Sequence, residues 1–152
     1  MKNKYRAAVI GRTGKGNYGH GLDVVWKNIP EVELVAVADE NKQGLAESAK
    51  KLGVDRAYPD YRKMLDEVKP DLVSVAPRWL DPHHDMVVEA ASRGVHIYCE
   101  KPFCRSLEEA DSMVRACEST HAKLGIAHQT RYSPKINVVK DLIAQGKIGD
   151  VL

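Results

Sequence analysis

The chain has 152 residues, 43% hydrophobic and 29% charged, which suits one globular domain with its own core and argues against disorder. Its 23 basic and 21 acidic side chains leave a formal charge of +2, so there is no electrostatic case for a nucleic-acid partner or an anionic membrane surface. No apolar run approaches the roughly 18 residues of a spanning helix. The basic start is followed by only four apolar residues before Gly11, fewer than the about 7–15 of a signal peptide. Cys99, Cys104 and Cys117 form no Cys-x-x-Cys pair and read as free thiols in a reducing compartment. A cytoplasmic location is expected, with Cys99 in the core.

In chain order, residues 7–10 form the first short apolar run, read as a strand, and lead straight into a glycine-rich stretch. Leu22, Val25, Trp26 and Ile29 repeat at helical spacing. Residues 32–38 form a second strand, followed by a weaker helical stripe at Leu45, Ala49 and Leu52 that Gly53 stops. Tyr61, Met64, Leu65 and Val68 mark the next helix, and Pro70 precedes a third strand at 72–76. Met86, Val87, Ala90 and Ala91 precede Gly94 and a fourth strand at 95–99. Ser106-Leu107-Glu108-Glu109 is a capping box for the helix of Leu107, Ala110, Val114 and Cys117. A fifth strand at 124–127 is followed by Ser133-Pro134, a helix start, and by Ile136, Val139 and Ile143 up to Gly146. Strands that alternate with helices and are apolar throughout predict an α/β fold: a doubly wound parallel sheet of Rossmann type in three αβα layers. The simplest strand order is 3-2-1-4-5, which sets residues 95–99 beside the first strand.

Gly14-x-Gly16-x-x-Gly19, between a strand and a helix, fits the dinucleotide fingerprint: glycines admit the pyrophosphate closely, and the helix start faces it. Asp39, 20 residues after Gly19 and at the end of the second strand, is the acid expected to bind the adenosine ribose. A carboxylate there repels a 2′-phosphate, which favours NAD over NADP; Lys42 nearby softens that preference. A nucleotide P-loop is excluded because Asn17-Tyr18 stands where Lys-Ser/Thr is needed. An S-adenosylmethionine-dependent methyltransferase shares the glycine loop and acid, and the motif alone leaves it open. Asp81, His83, His84 and Asp85 do not make a metal site, since adjacent histidines diverge at a helix start.

The fourth strand ends in Cys99-Glu100-Lys101-Pro102. Here the chain resembles the Gfo/Idh/MocA oxidoreductases, named for glucose–fructose oxidoreductase and inositol dehydrogenase. Residues 31–39, Asp60-Tyr61 with Met64-Leu65, residues 94–102 and residues 128–134 carry the resemblance, in order and at the right spacing. It implies that Glu100 and Lys101 line the nicotinamide half of the site, with Lys101 as the catalytic proton-handling group and a cis bond before Pro102. It also implies cofactor contacts from the loop of Ala76-Pro77-Arg78-Trp79 and from His83, which otherwise reads as a plain helix-start histidine. The candidate cofactor-binding set is therefore Gly11, Gly14, Gly16, Asn17, Tyr18, Gly19, Asp39, Pro77, His83, Glu100 and Lys101, with no metal. His20 either touches phosphate or packs.

Two departures from the family pattern stand out. Arg12-Thr13 lengthen the glycine loop, so either Gly11 or Gly14 takes the first-glycine role. Family members are also roughly twice this length or more. Residues 1–152 are expected to be one dinucleotide-binding domain, without the substrate domain that would follow. The resemblance implies NAD-dependent hydride transfer to or from a sugar, cyclitol or similar polyol as the small-molecule substrate. A non-catalytic nucleotide-binding regulatory module is the alternative. A sheet face left without its usual cover would favour homo-oligomers.

Overall fold

The computed structural model describes residues 4–150. Strands β1 (Tyr5–Ile10), β2 (Val32–Ala38), β3 (Arg56–Tyr58), β4 (Leu72–Val75), β5 (His96–Cys99) and β6 (Leu124–Ile126) form one parallel sheet in the order β3-β2-β1-β4-β5-β6. Along β1 the burial alternates between faces as a strand requires. Ala8 and Ile10 face a cluster containing Met64, Leu65, Val87 and Met113; Ala7 and Val9 face Leu22, Trp26 and Leu52. The first cluster brings together α2 (Tyr61–Val68), α3 (His83–Ala91) and α4 (Leu107–Thr120), and the second holds α1 (Lys42–Leu52). The three-layer Rossmann architecture expected from the sequence is present.

Two expectations need correction. Residues 72–75 do not occupy the far edge of the sheet. The three-residue β3 pairs with β2 there, so β4 lies beside β1, and β5 is one strand further out. β3 has no apolar run to announce it, since only Tyr58 of its three residues is buried. The second correction concerns the segment after the glycine loop. It is not an α-helix but a series of turns ending in a 3-10 helix, Val25–Asn28. Gly19 and Gly21 take left-handed conformations, with φ of 61° and 84°, and Pro30 closes the segment. Leu22 and Trp26 are buried all the same, because a turn followed by 3-10 helix projects them to one side. A four-residue 3-10 helix supplies no macrodipole for phosphate.

A register shift between Ala7 and Ala8 leaves Val35 as an extra residue in β2, so that Ala38 ends opposite Ile10 and Gly11 N–H donates to the Ala38 carbonyl at 2.9 Å. This sets Asp39 beside the glycine loop. Helix ends follow the sequence: Asn41 and Asp60 cap α1 and α2, and Gly53 closes α1 in the left-handed region. The capping box is half formed. Ser106 Oγ accepts from Glu109 N–H, but the Glu109 carboxylate turns back to Arg105, taking its N–H and its guanidinium. A last helix, α5 (Pro134–Ala144), packs against the 3-10 helix Gln129–Tyr132 and leaves Val138, Val139 and Ile143 exposed. No helix among the described residues is long and apolar enough to cross a membrane.

Trp26 Nε1 donates to Ser74 Oγ at 2.9 Å inside the core, and its ring meets Tyr98 edge-on at 6.2 Å. Trp26→Phe keeps most of the packing and orphans a hydroxyl that is wholly buried. Urea denaturation is expected to register a loss of about 1–3 kcal/mol.

Candidate cofactor site

The glycine loop folds on itself before it meets anything else. Arg12 and Asn17 exchange backbone hydrogen bonds at 3.1 and 2.9 Å, and Asn17 Oδ1 accepts from Gly14 N–H at 2.9 Å. The two residues that lengthen the loop are thus absorbed in a tiny hairpin. Asn17, with φ of 53°, serves the hairpin with its side chain. The N–H groups of Gly16, Tyr18 and Gly19 donate to nothing among the described residues, so they are free for an anion such as a pyrophosphate.

Asp39 anchors this hairpin from below. Its side chain is buried, with the residue 2% exposed, and its carboxylate accepts from four donors. They are Thr13 N–H (2.9 Å), Thr13 Oγ1 (2.6 Å), Tyr18 Oη (2.9 Å) and Asn41 N–H (2.9 Å). Oδ2 takes three of them, and Oδ1 takes Asn41 N–H together with a longer share of Thr13 N–H at 3.2 Å. Three of these donors come from the longer loop and the fourth from the start of α1, so Asp39 is tied into the fold at the rim of the site. Tyr18 is likewise turned inward. Its ring lies over Gly11, where an added Cβ would sit 2.1 Å from it, and burial pushes its hydroxyl pKa up. Thr13 similarly rests on Gly44, whose Cβ would come 2.0 Å from Thr13 Oγ1.

The other end of the loop is anchored at β5. Glu100 is wholly buried and accepts from His20 N–H, His20 Nδ1 and Lys101 N–H, each at 3.0 Å. The Nδ1 contact is a donation in the tautomer that carries its proton there. Gly19 has φ of 61°, and a Cβ on it would lie 2.3 Å from Glu100 Oε2 and 2.8 Å from the Ala76 carbonyl. Between these anchors Gly16 sits against the loop after β4, where a Cβ would meet the backbone nitrogens of Arg78 and Trp79 at 2.6 Å. Glu100 therefore ties loop to sheet and does not itself line an open cleft. His83 is also wholly buried. Nε2 lies 2.6 Å from the Pro77 carbonyl and Nδ1 3.2 Å from the Phe103 carbonyl, so the ring bridges the loops after β4 and β5. Neither His83 nor Pro77, buried beside it, reaches the surface of the site. Both shape the loops that do. Cys99, beside them, is core, and burial followed by the Glu100 charge pushes its thiol pKa up to about 12.

Two of the open places on this edge bear on a ligand. One, of about 150 Å³, lies at the ends of β1 and β2 and is lined by Gly11, Arg12, Asp39, Glu40, Tyr61 and Met86, among others. Glu40 Oε1 accepts from Arg12 Nε and Lys15 Nζ, both at 3.0 Å, and Arg12 is also paired with Asp81. Lys15 and then Arg12 hold the Glu40 carboxyl below the usual carboxylate range. Sequence reasoning passed over Glu40, although adjacent acids at 39–40 opposite Arg12 and Lys15 were there to be read. The second place is lined by Lys101, His128, Gln129, Thr130 and Arg131. Lys101 is half-buried, the bond between it and Pro102 is cis, and its ammonium has no ion-pair partner among the described residues. The geometry thus offers a pocket at one end, free N–H groups in the middle and an unpaired lysine at the other, which fits a dinucleotide laid across the strand ends.

Comparison with known proteins agrees. The pattern of the Gfo/Idh/MocA oxidoreductase family, with its NAD-binding Rossmann fold, matches residues 5–128. The chain is 32% identical over 147 residues to the D-apiose dehydrogenase of Paraburkholderia graminis, spanning 96% of this chain and 38% of that protein. It is 30% identical over 149 residues to the scyllo-inositol 2-dehydrogenase (NAD(+)) of Bacillus subtilis, spanning 98% and 43%. Among solved structures, the myo-inositol 2-dehydrogenase of Lactobacillus plantarum superposes with a TM-score of 0.82 at 28% identity, over 98% of this chain and 43% of that one. An oxidoreductase from Agrobacterium radiobacter, solved with NAD+, L-tartaric acid and magnesium, gives 0.82 at 27% identity, over 97% and 42%. The chain thus spans about two-fifths of the length of these relatives.

The loop geometry separates two glycine substitutions. Gly14→Ala, with φ of 83° but nothing within 4 Å of the new Cβ, is expected to lose about 1–2 kcal/mol of stability through backbone strain alone. Gly19→Ala adds the collision with Glu100 and the Ala76 carbonyl, and a loss of roughly 3 kcal/mol or more is expected. Denaturant melts of the two variants side by side check the order.

Proposed function

The chain belongs to the Gfo/Idh/MocA oxidoreductases, and from that membership we propose that it forms the coenzyme half of a dehydrogenase acting on a sugar, cyclitol or related polyol. The observation that carries the reading is the unpaired Lys101 at the end of β5, across the strand ends from a glycine loop with free N–H groups. The pyrophosphate of NAD would be held by the N–H groups of Gly16, Tyr18 and Gly19, the adenosine would enter the pocket at Gly11 and Arg12, and the nicotinamide would lie near Lys101. Gly14 and Asn17 shape the hairpin, and Pro77, His83 and Glu100 fix the loops around it.

Bound NAD supplies hydride acceptance or donation at its nicotinamide ring. The chain's own part is orientation and proton handling. As a substrate C–OH becomes C=O, two electrons leave with the hydride and a proton leaves the oxygen. Lys101 Nζ is the group available to hydrogen-bond that oxygen and to take or return the proton. The substrate class rests on relatives whose names are dehydrogenases of apiose and inositols. A second domain would complete the pocket, and the exposed Val138, Val139 and Ile143 of α5 suit packing against it. Three free thiols fit a cytoplasmic location.

Calorimetric titration with NAD tests the binding half, and binding is expected. In a form that includes a substrate domain, Lys101→Ala is expected to lower turnover by roughly 10²–10⁴-fold while NAD affinity stays within a few-fold. Full turnover in that variant refutes the role of Lys101. Tight NAD binding without turnover of any polyol would point instead to a nucleotide-responsive module. With α5 exposed, this chain by itself is expected to self-associate as concentration rises. Sedimentation showing a monomer throughout would count against that.

A further inference from the structure

The pocket at the ends of β1 and β2 is ringed by charge. Arg12 borders it from the lengthened loop, Glu40 from the residue after Asp39, and Arg62 from the start of α2. Oε1 of Glu40 holds both Arg12 and Lys15, whereas Oε2 accepts from nothing among the described residues. The Glu40 side chain is 52% exposed, against 2% for the whole of Asp39. Arg12 is kept in place from its other side by Asp81, and Arg62 is engaged by Glu89.

Asp39 is the more heavily engaged of the two acids at this pocket. A bond to Oδ2 competes with Thr13 and Tyr18, and Tyr18 moves only by lifting its ring off Gly11. Glu40 stands one residue on, at the rim of the same pocket, with an oxygen to spare. Its charge also bears on Arg12 and Lys15, since it takes one hydrogen bond from each while Arg12 gives another to Asp81.

Resting on the dinucleotide reading above, we propose that Glu40, and not Asp39, selects the coenzyme. Its free oxygen accepts from the 2′-hydroxyl of the adenosine ribose, and its negative charge offsets Arg12 and Lys15, the two cations that would otherwise draw in a 2′-phosphate. Discrimination is then a balance among three side chains. With Glu40 present, a 2′-phosphate meets a carboxylate and two cations already engaged, which is selection against the wrong ligand. Without that carboxylate, the Arg12 fork and the Lys15 ammonium form a phosphate clamp, with Arg12 still held in place by Asp81.

The test is a calorimetric titration of this chain and its variants with NAD and with NADP. The wild type is expected to favour NAD. Glu40→Gln, an isosteric change at an exposed side chain, is expected to raise the affinity for NADP relative to NAD by roughly tenfold or more. Adding Arg12→Gln to Glu40→Gln is expected to remove most of that gain. Asp39→Asn is expected to lower the denaturation midpoint, as the hairpin loses its anchor, and to leave the NADP-to-NAD ratio within about threefold. NAD binding with an unchanged ratio in Glu40→Gln overturns the assignment, as does a switch toward NADP in Asp39→Asn alone. A wild type that binds neither dinucleotide overturns the dinucleotide reading itself, and this assignment with it.

Discussion

A carboxylate buried in protein must be given hydrogen bonds for nearly every lone pair, or it costs several kcal/mol. Two carboxylates, Asp39 and Glu100, are buried at the carboxyl edge of this sheet, and the loop between β1 and the 3-10 helix supplies most of their hydrogen bonds. Asp39 takes Thr13, Tyr18 and the start of α1; Glu100 takes His20 and the next backbone N–H. The small residues of the region follow from this. Gly11 makes room for Tyr18, Gly44 for Thr13, and Gly19 for Glu100. The fingerprint glycines therefore answer first to the protein's own interior. Ligand approach is left to the N–H groups that remain free.

This arrangement joins parts of the sheet that are distant in sequence. The loop after β1 is fastened to β2 through Asp39, to the loop after β4 through Gly16, and to β5 through Glu100. His83 carries the connection on by bridging the loops after β4 and β5. The two open places, at Arg12 and at Lys101, are consequently mounted on one tied framework. A dinucleotide spanning both meets a preorganised edge, which lowers the ordering cost of binding.

Much of this was legible in the sequence. Apolar runs alternating with helical stripes identify a parallel sheet, and the Glu100-Lys101-Pro102 end of β5 identifies the family. What escaped has a common physical cause: partners that periodicity does not encode. β3 has three residues and one buried side chain, so its place at the edge comes from pairing with β2 and not from its own pattern. The stripe of Leu22 and Trp26 is buried equally by a helix or by turns, and only the left-handed Gly19 and Gly21 decide between them. The position of Asp39 was readable, but its tie to Thr13 and Tyr18 depends on how the two extra residues fold. The ring nitrogens of His83 face backbone carbonyls, which no side-chain motif records.

The two tryptophans occupy contrasting settings. Trp26 is buried, hydrogen-bonded to Ser74 and in edge contact with Tyr98, whereas Trp79 is 55% exposed on the loop that Gly16 holds. A buried indole emits to the blue of an exposed one, so their emission is expected to separate by colour. The blue component belongs to the interior and persists until the sheet opens. The red component is expected from a ring on the exposed loop whose backbone packs against Gly16, open to a collisional quencher. The chain thus carries two intrinsic optical probes, one for its core and one for the loop packed beside the glycine hairpin.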